Sequence, residues 1–99
     1  MVDLELPLAA IQPDWVADVE RFAPFGRGNQ RPNVLVRGVA LDVHSPRVGQ
    51  VVDGQRRVAA RGRFADLERG QRYDVIVTPT LARGELRLSV SDVKGAAVL

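Results

Sequence analysis

Residues 73–91 read YDVIVTPTLARGELRLSVS, and apolar and polar side chains alternate on both sides of a central turn. An alternation with a period of two residues is typical of strands that bury one face. Arg83-Gly84 separates the two halves and favours a tight hairpin, because glycine adopts the backbone angles of such turns. The stretch therefore predicts two antiparallel strands. Tyr73, Val75 and Val77 share one face of the first strand, and Leu86, Leu88 and Val90 form the apolar face of the second.

Three segments upstream of this hairpin also have the composition of strands. They are residues 33–44, which lie between Pro32 and Pro46, residues 48–52, and residues 56–64. Asp53-Gly54 follows the second segment and is a strong signal for a two-residue hairpin. Residues 65–70 predict a turn or a single helical turn that ends at Gly70.

The five predicted strands favour a small closed barrel. No connection between them contains a helix long enough for a parallel crossover, so we expect antiparallel pairing. Five such strands can close into a barrel of the oligonucleotide-binding (OB) type, which leaves no exposed edge. A β-sandwich is the alternative, but it usually needs about seven strands in about 100 residues. We therefore predict a mainly β chain with a five-stranded OB-type antiparallel barrel over residues 32–94, in a single domain of residues 1–99.

The N-terminal residues predict an arm and one short helix before the barrel. Residues 1–11 alternate apolar with acidic side chains, which indicates an extended arm, and Pro7 would restrict it to the edge of a sheet. Residues 12–23 predict the lead-in helix, since Pro13 suits a first helical turn and Pro24 ends the helix. Apolar spacings of four and three residues give this helix one buried face with Trp15, Val19 and Phe22.

Charge is distributed unevenly along the chain. It has fourteen basic residues, thirteen of them Arg, and twelve acidic residues. Five acids and no base lie in residues 1–20, so residues 21–99 carry fourteen bases against seven acids, a net charge of +7. A basic body favours a polyanionic partner, because Lys and Arg displace the counterions that condense on phosphates. The alternative is an Arg content that only reflects a GC-rich genome.

The composition also argues against several classes of protein. The chain has no Cys, which excludes disulfides and thiolate metal sites and fits a reducing cytoplasm. No run of about 18 apolar residues is present, so we expect no transmembrane helix and no membrane partner. We find no basic leader followed by an apolar stretch, so we expect no secretory signal and a cytoplasmic location.

Residues 23–32 read APFGRGNQRP and predict a tight turn between the helix and the first barrel strand. This segment resembles the Pro-Phe-Gly-x-Gly-Asn-Pro-x-Pro signature at the start of the OB domain in RecJ-like exonucleases specific for single-stranded DNA. The lead-in segments and the last strand are also similar to that family, whereas residues 45–61 have no obvious equivalent in it. Gln30 replaces the middle proline of the signature, and the matching residues are Pro24, Phe25, Gly26, Gly28, Asn29 and Pro32.

The resemblance implies a role beside a nuclease. In that family a core with aspartate- and histidine-rich metal motifs degrades single strands from the 5′ end, and the OB domain holds the strand at its entrance. None of those motifs occurs in this sequence, so we expect no catalytic site and no cofactor in the chain itself. The divalent metal, manganese or magnesium, would belong to the nuclease core, in the same parent chain or in a separate protein. The expected partners are that core and single-stranded DNA, in DNA repair and recombination.

The candidate binding residues are basic and aromatic. Arg side chains on the ligand side of the barrel or in the glycine loop could contact phosphates, or could simply form a solvated surface. These residues are Arg27, Arg31, Arg56, Arg57, Arg61 and Arg63. Base stacking needs exposed rings, for which Phe64 and Tyr73 are the candidates, while Trp15, Phe22 and Phe25 favour the core. So few aromatic residues favour weak binding through the nucleic-acid backbone rather than base readout.

Other chemistry has little support in the sequence. His44 is the only histidine, and no Ser has a base that would activate it. The alternative to DNA binding is a structural or protein-interaction barrel that braces a nuclease core or docks a repair partner. In that case the Arg residues only solvate the surface, and the acidic N-terminal segment could neutralise the groove.

Overall fold

The computed structural model describes residues 2–22, 32–64, 67 and 71–95. The N-terminal part contains a two-residue strand, one turn of 3-10 helix and an α-helix, which are β1 (Leu4–Glu5), the 3-10 turn (Leu8–Ala10) and α1 (Pro13–Phe22). The strands that follow are β2 (Val34–Ser45), β3 (Val48–Asp53), β4 (Arg56–Arg61), β5 (Tyr73–Ala82) and β6 (Glu85–Gly95). None of the helices in this described part has the length and apolar composition that a membrane crossing needs.

The strands β2 to β6 close into a barrel in the order β2-β3-β4-β6-β5, with β5 paired back onto β2. This confirms the predicted five-stranded OB-type barrel with one short helix before it. Pairing around the ring is antiparallel except between β4 and β6, which are parallel. The prediction of wholly antiparallel pairing is wrong for this pair, because it considered only strands that are consecutive in sequence. β5 lies between β4 and β6 in the chain and runs opposite to both.

Both predicted hairpins are present. The turn between β3 and β4 begins at Gly54, which has a φ of +60°. The turn between β5 and β6 is Arg83-Gly84, with φ angles of 53° and 80°. Positive φ at these positions matches the right-handed twist of the flanking strands, so the two glycines fix the register of both hairpins.

β2 bends at Gly38, and the bend lets one strand pair with two neighbours. Pairing with β5 continues to Val39, and pairing with β3 begins at Ala40. Gly38 has a φ of +67°, which is a strained conformation for residues with a side chain. Its amide donates to the Asp74 carboxylate at 2.9 Å, and its carbonyl accepts a hydrogen bond of 2.9 Å from Arg72. These contacts hold a bulge that turns the strand around the barrel.

The core is built from the inward side chains of the five barrel strands. Most of them are β-branched, a shape that packs well on a pleated surface. They are Val34, Val36, Val39, Val51, Val58, Ala60, Tyr73, Val75, Val77, Leu88 and Val90. The alternate residues of the same strands lie toward the outside, as the period-two pattern predicts.

The N-terminal segment packs against this core. Leu8 and Ile11 are fully buried, and Val16 of α1 is only 2% exposed. Trp15 of the predicted buried face of α1 packs against this core and is half-buried, as is Val19, and the most buried of the described side chains of the helix is that of Val16. Ile11 lies two residues before the helix begins, so the chain is already anchored in the core where α1 starts.

We expect Gly38→Ala to lower the free energy of unfolding by about 1–2 kcal/mol, because alanine must adopt the left-handed conformation there. Nothing lies within 4 Å of an added Cβ, so the cost is conformational and not steric. Gly38→Asn should retain more stability, since Asn tolerates this conformation better. Urea denaturation followed by Trp15 fluorescence compares the three proteins. A Gly38→Ala variant as stable as the parent would contradict the role assigned to this bend.

Candidate nucleic-acid interface

The side chains of alternate residues of β4 lie on the outside of the barrel and are exposed, namely those of Arg57, Ala59 and Arg61. The neighbouring strand β6 presents Arg87 and Ser89 on the same side, because Ala59 lies opposite Arg87 and Arg61 lies opposite Ser89 in the parallel ladder. Basic and small side chains therefore alternate across two adjacent strands. We call this surface, formed by these five residues, the basic face.

Arg61 and Arg87 have no competing partner among the described residues. Both side chains are exposed, and within the described part of the chain no carboxylate or carbonyl oxygen accepts a hydrogen bond from either guanidinium. A guanidinium carries five N–H donors in a planar fork that matches the oxygens of a phosphate. The two side chains can therefore bind an oxyanion without first breaking an internal ion pair.

The turn between β2 and β3 brings another base to the same end of the barrel. Arg47 on this turn is exposed, and its carbonyl accepts a hydrogen bond of 3.1 Å from the amide of Gly62, directly after β4. Because Val48 lies opposite Arg61 in the β3–β4 ladder, the turn adjoins the basic face. Positive charge is thus concentrated where β4 ends.

A shallow hollow of about 260 Å³ lies on the basic face. Its lining includes the outward side chain of Ala59 and that of Val48, which is 46% exposed. Small apolar side chains beside Arg61 and Arg87 suit a ligand with apolar surface and negative charge, such as a sugar–phosphate chain. The lining residues are Val48, Ala59, Ala60, Arg61, Glu85 and Arg87.

Arg57 shares the basic face but is already engaged. One terminal nitrogen, Nη1, donates to the Asp42 carboxylate at 3.0 Å and to the Gln50 side-chain oxygen at 3.2 Å. The two charged side chains of this ion pair are about half exposed, so the pair itself adds little stability. A phosphate would have to compete with Asp42 for this guanidinium. Arg57 therefore lies where the sequence predicted it, but with less free capacity than Arg61.

Arg56 has a structural role, and its predicted contact with phosphate is not supported. Its Nη1 donates to the carbonyl of Ala9 at 3.1 Å, and its Nη2 donates to the carbonyl of Ile11. Its place in the alternation of β4 is that of the inward residues Val58 and Ala60, so it reaches the N-terminal segment and not the basic face. Arg56 thus fastens that segment to the barrel.

The two predicted stacking residues are buried. Phe64 is 7% exposed and Tyr73 is 5% exposed, and both belong to the hydrophobic core. The expectation that these rings are exposed is wrong, and the stacking prediction loses its physical basis with it. Tyr73 has the same phase as the buried Val75 and Val77, so its alternation already contained this signal. The amide of Phe64 donates to the Pro46 carbonyl at 2.9 Å, which holds the ring at the barrel's end.

Arg63 follows β4 and borders a second hollow of about 500 Å³. The side chain is exposed, and it has no hydrogen-bonded partner among the described residues. The other residues of this hollow are Gly62, Leu67, Val90, Ser91, Asp92 and Val93. Arg63 therefore extends the line of free bases beyond the end of β4.

Several predictions concern residues or side chains outside the described part of the chain. They concern Arg27 and Arg31 as phosphate contacts, the rings of Phe22 and Phe25, and most of the predicted turn at residues 65–70. His44 is exposed on β2. Among the residues that the structure describes, no group of three or more His, Asp or Glu side chains could hold a metal ion.

The first two acids of the N-terminal arm, Asp3 and Glu5, contact β2 and the residue before it, and not the basic face. The Asp3 carboxylate accepts a hydrogen bond of 2.8 Å from the Asn33 amide, and β1 pairs in parallel with the start of β2. Glu5 forms an ion pair of 2.7 Å with Arg37. The hydrogen bond and the negative charge of Glu5 raise the pKa of Arg37 above its usual value, so this Arg stays cationic.

The sequence did not identify Arg47 and Arg87 as candidates. The alternation of β6 placed Arg87 on the solvent side correctly, but only the parallel pairing of β4 with β6 brings it next to Arg61. For Arg47, the available signal was a basic residue directly after Pro46, in the short connection between two predicted strands. A search for bases on the polar phase of every strand would have found Arg87.

Comparison with known families gives a clear match. A family model described as the RecJ OB domain matches residues 2–87, which include the arm, α1 and the barrel up to the first part of β6. A search of curated proteins finds no match.

Arg56→Ala should lower the free energy of unfolding by about 1–3 kcal/mol, since it removes two charged hydrogen bonds that hold the arm. Arg57→Ala is the matched control at the adjacent position, and the loss of its exposed ion pair should cost less than about 1 kcal/mol. Urea denaturation of both variants, followed by the fluorescence of Trp15, measures the difference. Equal losses would show that Arg56 does not fasten the arm.

Proposed function

Because this chain belongs to the RecJ OB-domain family, we propose that it binds single-stranded DNA and holds the strand for a nuclease core. That core would supply the catalysis and its divalent metal, manganese or magnesium, from another part of the same parent chain or from a separate protein. The chain itself would act as a binding module in DNA repair and recombination. The family supports a nucleic-acid-binding OB module, and the basic face supports the choice of a polyanionic strand.

The observation that carries this proposal is the pair of free guanidinium groups, Arg61 and Arg87, on adjacent strands of one exposed face. Phosphate binding by such groups releases condensed counterions, which drives association at low salt. Arg also forms two parallel hydrogen bonds to one phosphate, which Lys cannot do. Lys94 is the only Lys of the chain, so Arg carries nearly all of its positive charge.

The composition of the face favours contact with the strand's backbone. No aromatic side chain of the described residues lies on it, because Phe64 and Tyr73 are in the core. Base stacking supplies about 1–3 kcal/mol per base in stronger single-strand binders. Without it, affinity comes from phosphate contacts that read no sequence. We therefore expect an affinity for the isolated chain that is micromolar or weaker and nearly independent of base composition.

A second function is favoured by a separate surface. Leu35 and Ile76 lie opposite each other on the outside of β2 and β5, and the exposed Val2 lies beside them. They border a hollow of about 280 Å³ together with Arg37, Asp74, Asp92 and Lys94. An apolar centre with charges of both signs around it suits contact with a protein. On this alternative the barrel braces the nuclease core or docks a repair partner.

Arg61→Gln and Lys94→Gln test the DNA-binding proposal, since each removes one exposed positive charge from β4 or β6. Arg61→Gln should weaken binding of a fluorescent single-stranded oligonucleotide about three- to tenfold at low salt, and should reduce the salt slope by about 0.7. Lys94→Gln, away from the basic face, should change the affinity less than twofold. Fluorescence anisotropy over a range of salt concentrations measures both quantities.

The outcomes separate the two functions. Binding to a single strand that is tighter than to a duplex of the same length, and that falls steeply with salt, supports the proposal. Equal effects of the two variants would mean that only net charge matters. No binding at low salt would contradict DNA binding by this chain and favour the structural function.

A further inference from the structure

Three of the exposed bases without a hydrogen-bonded partner among the described residues follow one another along β4 and β6. Arg87 lies level with Ala59 in the parallel ladder, Arg61 comes two residues later on β4, and Arg63 follows two residues after that. The interval of two residues from Ala59 to Arg61 on β4 is ~6.6 Å, which is comparable to the distance between neighbouring phosphates of an extended nucleic-acid strand. Arg63 lies beyond the end of β4, after the bend at Gly62. The three bases therefore follow the junction between β4 and β6, which we call the seam.

The surface beside the seam is open. Ala59 and Ser89, the partners of Arg87 and Arg61 across the seam, are small, so no bulky side chain rises between the bases. The hollow of about 260 Å³ lies at the Arg87 end, and the hollow of about 500 Å³ lies at the Arg63 end. Arg61 borders the first hollow and directly precedes Gly62 of the second. The two hollows thus form successive parts of one path.

Among the described residues, the carboxylates along this path lie at its ends. Glu85 borders the first hollow at the β5–β6 hairpin, two residues before Arg87. Asp92 borders the second hollow, and its carboxylate accepts a hydrogen bond of 2.9 Å from the amide of Val93. Neither carboxylate lies between Arg87 and Arg63. The length available to a strand is therefore set by these two acids.

A path across β2 and β3 is less favourable. The outward row there contains Asp42 and Gln50, which lie opposite each other in the ladder. Both accept hydrogen bonds from Arg57 of β4, so the base that faces this row is shared with a carboxylate. A phosphate placed over this row would meet the negative charge of Asp42 and would have to displace it from Arg57.

We propose that a single strand lies along the β4–β6 seam, over Arg87, Arg61 and Arg63, and does not cross β2 and β3. This inference rests on the proposed DNA binding and adds the route of the strand. Arg87, which the sequence pattern did not single out, becomes a main contact. Arg57, although closer to the centre of the barrel's β3–β4 surface, becomes a minor one.

Two variants with the same change of charge test the route in the full 99-residue chain. Arg87→Gln should weaken binding of oligodeoxythymidine about three- to tenfold, as Arg61→Gln does, whereas Arg57→Gln should change it less than twofold. Both are outward residues of neighbouring strands, and urea denaturation confirms that each variant is folded. A larger loss of affinity in Arg57→Gln than in Arg87→Gln would overturn the inference.

Amide chemical shifts recorded during titration with the same oligonucleotide give an independent readout. The expected shifts lie at Arg61, Gly62, Arg87 and Ser89, with little change at Asp42 and Gln50. Shifts concentrated on β2 and β3 would overturn the seam route while leaving DNA binding intact. No shift anywhere at low salt would overturn DNA binding itself, and the route with it.

Discussion

The bend of β2 at Gly38 is the constraint on which the rest of the structure depends. A single strand must pair with β5 on one side and with β3 on the other, and it can do so only by turning sharply between the two ladders. The positive φ of Gly38 permits that turn, and hydrogen bonds from Arg72 and to Asp74 fix it. Without this bend the sheet would stay open, with unpaired edges that favour association with other chains.

Closure of the barrel also creates the candidate site. β4 and β6 are not neighbours in sequence, and they meet only because the ring must be completed between them. Their parallel pairing places Arg61 beside Ser89 and Ala59 beside Arg87, so the bases of the two strands are staggered and not opposed. Staggering keeps the positive charges apart and leaves small side chains between them. The same ladder that completes the fold thus spaces the bases for an extended polyanion.

The many Arg residues of this chain divide into structural and free ones. Arg56 and Arg72 donate to backbone carbonyls, and Arg37 pairs with Glu5 of the arm. Those residues hold the N-terminal segment and the β2 bend. The guanidinium group suits this role, because its several N–H donors can satisfy backbone carbonyls that the strands leave unpaired. Arg61 and Arg87 have no such task among the described residues. Composition alone could not make this distinction, because it depends on which acceptors lie within reach in the folded chain.

The sequence by itself determined the strands, both hairpins, the short helix and the OB-type class, because alternation and glycine turns act over a few residues. It also placed Arg87 on the polar phase of its strand. Only the tertiary structure decided that Arg56 fastens the arm and that β4 lies beside β6. These features depend on contacts between residues far apart in the chain, whose geometry is set by closure of the barrel and not by any local pattern.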